Sequence, residues 1–424
     1  METNNAMGAE TSLKKQYVLG RKDKKAVGLL KIGKYYALDS SLGSEVNIDI
    51  LQPHIVLICG KRGYGKSYTL GVFIEEISQL EKEIKDNLGV ILIDTLGIFW
   101  TSIIPNKDEK LRQWSLNPKG VDITLFVPKK HIEDYNIKGI NAQSFSLKVS
   151  DLSPFHWCEL FNVKHTDPFG TAITRSVHEM QKKSKNYSIV ELLECIKQNK
   201  KSDDHVKDVA ENFLTMAESW GIFDSNGICI TKLITRGKIT VLDLSHLPES
   251  SLKTIIIGII GKKIFEERVK ERKIYELKKM GQAIQEKGLP MIWMGIDEAQ
   301  LFLPSDSDPV SKKVFINEWM RQGRQPGLSL VMATQRPSSL DAEVMSHSDI
   351  IICHRLTSQE DIEALSRIRP TYMHGDIKES IKRIGDEKGV AFILDDNSES
   401  THVIKIRPRF SWHGGEEPTL LEPC

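Results

Sequence analysis

The segment Gly60-Lys61-Arg62-Gly63-Tyr64-Gly65-Lys66-Ser67 sets three glycines, a lysine and a hydroxyl at the spacing G-x-x-x-x-G-K-[ST]. The chemistry open to that set is capture of a polyphosphate. Glycines let backbone amides turn inward on an anion, and a following helix adds unpaired N–H groups and the positive end of its dipole. Lys66 is then expected to reach the β- and γ-phosphates and Ser67 to ligate Mg²⁺, so ATP and Mg²⁺ are the expected cofactors. Tyr68, which opens the next helix, completes the nucleotide-binding segment. The context is the required one, because the apolar strand Ile55–Cys59 precedes the loop and an amphipathic helix, Tyr68 to Leu80, follows it.

Hydrolysis needs a second group of residues to hold the metal and activate water. Met291-Ile292-Trp293-Met294-Gly295-Ile296-Asp297-Glu298 reads as a buried strand ending in two carboxylates. Asp297 is expected to orient Mg²⁺ through its water shell and Glu298 to polarise the attacking water. The run Leu328–Ala333 ends in Thr334-Gln335-Arg336-Pro337, which puts an amide at a neighbouring strand tip. Gln335 is therefore the candidate γ-phosphate sensor; the alternative is a plain strand-end turn with Pro337 stopping the sheet. Between these strands lie Arg321 and Arg324. Either could stabilise charge developing in a neighbouring subunit's site, or both could be solvated surface residues.

These residues need a scaffold. Short apolar runs at Ile55–Cys59, Gly89–Asp94, Ile123–Val127, Ile239–Leu244, Met291–Ile296, Leu328–Ala333, Asp349–Cys353 and Val390–Leu394 alternate with helical patterns. That alternation predicts an α/β fold, a RecA-like P-loop NTPase core with a mostly parallel sheet. Residues 150–235 show helical periodicity instead, as in Ile189-Val190-Leu192-Leu193-Ile196 and Val206-Val209-Phe213-Met216, and read as an insertion of about four helices. The expected organisation is a short N-terminal β segment of two or three strands (1–50, with residues 1–16 polar and frayed), an ATPase core (51–149 and 236–406), the helical insertion (150–235) and a C-terminal tail (407–424). Neither an internal repeat nor a low-complexity segment is present.

Composition narrows the field without choosing within it. The chain has 424 residues, 40% hydrophobic and 27% charged, which excludes the low-hydrophobicity balance of a disordered polypeptide. A formal net charge of +1 leaves any nucleic-acid contact to local basic patches, of which Lys129-Lys130 and Lys182-Lys183-Lys185 are the candidates. The six cysteines are scattered, with no C-x-x-C pair, and are expected to be reduced thiols. With Ile255–Ile260 the longest apolar run, a cytoplasmic protein without a membrane anchor is expected.

Taken together, Gly60–Ser67, Gly295-Ile296-Asp297-Glu298-Ala299-Gln300, Arg321-Gln322-Gly323-Arg324-Gln325-Pro326-Gly327 and Ala333-Thr334-Gln335-Arg336-Pro337-Ser338 resemble the HerA branch of the HerA–FtsK superfamily of DNA-translocating ATPases. The resemblance runs from about Tyr35 to the C-terminus, broken by the helical insertion. It implies a homo-hexamer with ATP at subunit interfaces, DNA in the central pore, and Arg324 as the finger reaching into the neighbour's site. Phe410-Ser411-Trp412-His413-Gly414-Gly415 looks like that family's C-terminal brace, which lies across the adjacent subunit; the alternative is a tail packed on its own domain.

The chain departs from the family pattern in three places. The roughly 50 residues ahead of the core are too few for the family's N-terminal barrel, which docks a nuclease. Gln300 stands where the family commonly has histidine, and the turn Asp94-Thr95-Leu96-Gly97 keeps only Asp94 and Gly97 of the family's usual sequence. The leading functional expectation is an ATP-driven DNA translocase or helicase working in DNA processing or defence, beside a nuclease or other effector. The others are an ATP-gated scaffold that controls a bound effector without moving DNA, and a DNA-packaging motor.

Overall fold

The structure, a computed structural model, describes residues 17–21, 27–136, 139–284, 288–367 and 377–415. The polar stretch 1–16 and the end of the tail, 416–424, lie outside the described residues.

Each of the eight apolar runs forms a strand, displaced at an end by no more than one residue. In chain order the strands are β1 (Tyr17–Leu19), β2 (Leu29–Tyr36), β3 (Leu42–Asp49), β4 (Ile55–Cys59), β5 (Leu88–Asp94), β6 (Ile123–Pro128), β7 (Ala142–Phe145), β8 (Leu147–Lys148), β9 (Phe223–Asp224), β10 (Ile239–Asp243), β11 (Met291–Ile296), β12 (Leu328–Thr334), β13 (Ile350–His354), β14 (Val390–Asp395) and β15 (Ser400–Ile406). Thirteen of them make one sheet in the order β1-β3-β2-β15-β14-β13-β4-β12-β11-β5-β10-β6-β7, and β8 pairs with β9 separately. From β13 to β7 every pairing is parallel; from β13 out to β3 the pairings are antiparallel. The N-terminal strands thus extend the ATPase sheet through β15.

The parallel strands are apolar on both faces because both faces are covered. Alternate residues enter two separate cores. Leu57, Ile91, Ile93 and Leu242 face one, with the helices of 154–219, the long helix Ser250–Lys279 and Phe315. Val56, Ile58, Val90 and Leu92 face the other, with Leu70, Phe73, Ile74 and Ile77 of helix α1 (Lys66–Ser78). Four helices fall between Pro154 and Ser219, starting with capping boxes at Ser153 and Ser188, at Asp167 ahead of Pro168, and at the side-chain cap Asp203.

After β15 the chain crosses α1 and ends its described course on its own subunit. Glu75, wholly buried in α1, accepts hydrogen bonds from Arg407, Arg409, the Phe410 and Ser411 amides and the Ser411 hydroxyl, at 2.6–3.2 Å. A Cβ on Gly71 would stand 2.4 Å from the Arg409 guanidinium, so α1 needs a glycine there for the arginine to pass. Residues 407–415 are packed against α1 of their own subunit.

Candidate nucleotide site

β4 delivers Gly60 to the carboxyl edge of the sheet, and α1 begins at Lys66. The loop between is shaped from outside by β13. A Cβ on Gly60 would lie 2.6 Å from that of His354, and the Lys61 amide donates to the Arg355 carbonyl at 2.7 Å. His354 is fully buried, with Nδ1 3.1 Å from the Val390 carbonyl and Nε2 2.9 Å from the Thr69 hydroxyl. Burial drops its pKa to about 4, so it is a neutral imidazole splinting the first turn of α1. Gly65, at φ +115°, makes the turn into the helix that a side chain would oppose.

Lys66 is buried, and its Nζ donates to the Lys61 carbonyl at 3.2 Å. Burial lowers its pKa, while Glu298 and Asp297 hold it up. Tyr68 is turned the other way: its hydroxyl accepts from the Arg409 amide at 2.6 Å and its ring meets His413 edge-on at 5.2 Å. The C-terminal segment therefore covers Tyr68, whereas Lys61, Arg62 and Gly63 are exposed at the loop tip.

At the end of β11, Asp297 and Glu298 diverge because Glu298 adopts a left-handed backbone, φ 54° and ψ 48°. For a glutamate that conformation stores roughly 1–3 kcal/mol of strain, tolerated where function requires it. Asp297 Oδ1 accepts from the Glu298 amide at 3.0 Å, and its buried Oδ2 has no partner. Burial and the neighbouring Glu298 push Asp297 up to about 6, against the pull of the Ser67 hydroxyl and the Lys66 ammonium. An uncompensated carboxylate oxygen beside a serine hydroxyl is the donor set a hard cation takes. Ser67 and Asp297 fit Mg²⁺ on that ground.

Both oxygens of Glu298 are held. Gln335 donates to Oε1 and Gln300 to Oε2, and the Gln300 carbonyl accepts from the Thr334 hydroxyl at 2.7 Å. The two amides fix the carboxylate in one plane. Sequence reasoning placed Gln335 near the phosphate; it did not foresee that Gln300 grips the same carboxylate from the other side.

Arg324 is nowhere near this cluster. It precedes β12, at the amino edge of the sheet, while Gln335 follows β12 at the carboxyl edge, a strand length of roughly 20 Å away. It is exposed, and its side chain makes no hydrogen bond or ion pair among the described residues. Arg321 is engaged, forking onto Glu343 at 2.6–3.1 Å. The turn carrying Arg324 is fixed from behind: Trp319, in a π-helical turn over Phe315–Met320, donates to the Gly261 carbonyl at 2.9 Å, and Arg268 donates to the Pro326 carbonyl at 2.8 Å.

The family model for the central domain of helicase HerA matches residues 30–264, more than half of the chain. The chain belongs to the HerA family. As a HerA-family protein it is a P-loop ATPase. Its sequence is 23% identical over 402 residues to the DNA double-strand break repair helicase HerA of Sulfurisphaera tokodaii, covering 93% of this chain and 72% of that relative. Among solved structures, VirB4 of Thermoanaerobacter pseudethanolicus aligns at a TM-score of 0.56 with 14% identity, over 91% of this chain and 98% of that one. The plasmid coupling protein TrwB, solved in complex with the non-hydrolysable GTP analogue GDPNP, aligns at 0.50 with 10% identity, over 87% and 88%. These two likenesses establish the shared RecA-like fold of the HerA-family chain.

Two functional positions escaped the sequence reading. His354 ends an apolar strand and carries no motif. Asp243, ending β10, stands in register with Asp94 of β5, the strand whose other neighbour is β11, so Asp243, Asp94 and Asp297 end three adjacent strands. Burial and Asp243 raise Asp94 to about 8, although the Leu96, Gly97 and Phe99 amides all donate to it. The expected basic patches are partly neutralised: Lys129 pairs with Asp224 at 2.9 Å and Lys183 with Glu179 at 2.5 Å, while Lys182 and Lys185 are exposed.

Proposed function

We propose that the chain is an ATP-driven DNA translocase that works as a closed ring, hexameric in the pattern its family resemblance implies, with each nucleotide held between two subunits. The observation that carries this reading is the separation of Arg324 from its own phosphate loop, on opposite edges of one sheet. An unpaired arginine on a braced turn is of no use to its own site and is well placed for a neighbour's.

In the proposed reaction the loop amides of residues 60–66 and the dipole of α1 hold the phosphates, with Lys66 on the β- and γ-groups. Ser67 and Asp297 hold Mg²⁺, which supplies charge neutralisation on the transferring phosphate. Glu298, fixed by Gln300 and Gln335, accepts a proton from the attacking water, and Arg324 of the adjacent subunit meets the charge that develops. Because Gln335 contacts Glu298 directly, a shift of β12 on loss of the γ-phosphate would release the general base. DNA as substrate is supported by the repair-helicase relative; a processing or defence role beside a nuclease is the corresponding biological setting, in the cytoplasm. Among the described residues no helix is long and apolar enough to cross a membrane.

Steady-state ATP hydrolysis with and without linear duplex DNA tests the proposal. Stimulation by DNA that disappears in Lys66→Ala is the expected result. Hydrolysis indifferent to DNA would sink the translocase reading and favour the effector-gating scaffold.

A further inference from the structure

Two strands away from β11, the carboxyl edge carries a second group of donors that the nucleotide chemistry does not use. The short helix after β6 presents His131 and Asp134, and the loop after β10 presents His246. His131 Nδ1 lies 3.1 Å from Asp134 Oδ2, and the His131 and His246 rings lie 4.4 Å apart, 14° from parallel. One donor atom from each of the three falls within 4.8 Å of the others, the only such trio of His, Cys, Asp or Glu among the described residues.

What lies behind the trio is as informative as the trio itself. Tyr135, buried between them, has its hydroxyl 3.3 Å from His246 Nε2 and donates it to Asp243. Its proton committed to Asp243, the hydroxyl faces the imidazole as an acceptor. That contact suits an N–H at Nε2 of His246, with Nδ1 as the nitrogen that would ligate. It is the outer hydrogen bond that metal-bound histidines characteristically make, here continued to a buried carboxylate.

We propose that His131, Asp134 and His246 form a site for a divalent first-row transition ion of the Zn²⁺ class, distinct from the Mg²⁺ of the nucleotide site. Two imidazoles and one carboxylate suit such an ion, and Mg²⁺ favours all-oxygen sets. Bonds of about 2.0–2.1 Å put neighbouring tetrahedral donors about 3.3 Å apart, the spacing His131 and Asp134 already have. The His246 donor atom already lies within 4.8 Å of the other two. The ion clips the helix after β6 to the loop after β10, and a fourth position stays open to water.

The test is a Zn²⁺ titration of the chelator-treated full chain against a chromophoric competitor, without nucleotide or Mg²⁺, repeated with Co²⁺ to read its visible spectrum. One equivalent per chain is expected, with a Co²⁺ spectrum lacking thiolate charge-transfer bands. Affinity should fall at least tenfold in His246→Ala and in His131→Ala while Lys66→Ala binds as the parent does, and Zn²⁺ should raise the Tm of the parent alone among these histidine variants. Absence of saturable binding, thiolate bands, or a stoichiometry unchanged in both histidine variants would overturn the assignment. Unaltered far-UV circular dichroism in each variant separates loss of the site from loss of the fold.

Discussion

The two edges of the parallel sheet treat charge in opposite ways. At the carboxyl edge Asp297 is buried with a bare oxygen, Glu298 sits on strained backbone, and Asp94 and Asp243 face each other across neighbouring strands. At the amino edge of the same strands, the buried charges are closed into pairs: His54 lies 2.6 Å from Asp349 and 3.3 Å from Asp49, and Arg21 lies 3.0 Å from Asp49. His54 is pushed up to about 9, the two aspartates outweighing a burial penalty that is the largest single influence on it. His54 and Asp349 of that web line one cavity of about 200 Å³ together with the exposed Arg324. One edge is an incomplete anion site with an uncompensated carboxylate oxygen; the other is a web of paired charges beside the exposed Arg324 guanidinium. Each edge supplies what the other lacks, which is the arrangement a ring of identical subunits can use.

The sharpest way to break this comparison is to remove the outward guanidinium. Arg324→Ala should lower kcat about 10³-fold without weakening nucleotide binding. Mixing it with Lys66→Ala protein, itself inactive, should restore hydrolysis, because such interfaces pair an intact loop with an intact arginine. Failure of the mixture to recover would mean the two edges do not meet.

A smaller loss, about 10²–10³-fold in kcat, is expected for Glu298→Gln, with ATP still bound. Trapped ATP measured by filter binding distinguishes this outcome from a folding defect. Retention of near-normal turnover would remove Glu298 from the role of base.

The smallest effect concerns stability. Because Asp297 rises from 3.8 to about 6 on folding, the folded state binds the extra proton, and ionising it at neutral pH costs on the order of 2–3 kcal/mol. The cost is complete above about pH 6 and vanishes as pH falls below about 4, where the unfolded chain is protonated as well. Asp297→Asn should therefore raise Tm by a few degrees at pH 7.5 without Mg²⁺ and by nothing near pH 3.5, while abolishing hydrolysis. An equal shift at both pH values would point to packing rather than charge.

The parts of this design that follow from apolar runs and glycine spacing were legible in the sequence. The eight core strands and the loop–helix junction at Lys66 are local patterns, each dictated by a few consecutive residues. β7 (Ala142–Phe145) was not visible because Gln143 and Ser144 interrupt its apolar character. β15 alternates polar and apolar residues within the antiparallel half, and no local pattern tells that β2 will pair with it. At the site, the two carboxylates and Gln335 announced themselves at strand tips. His354, Gln300 as a clamp on Glu298, and Glu75 beneath the C-terminal segment depend on partners tens to hundreds of residues away, and their roles exist only once the sheet order is known.

The sheet's connectivity bears on how the protein comes into being on the ribosome. β2 is held in place by β15, and the Gly20 amide donates to Asp395, 375 positions later. Glu75 likewise waits for its partners in residues 407–411. β1, β2 and β3 can pair with one another early, but they have no place in the ATPase sheet until β15 has been made. Closure of the sheet thus waits on β14 and β15, and a nascent fragment stalled before β14 would expose an unpaired strand edge that a chaperone must shield.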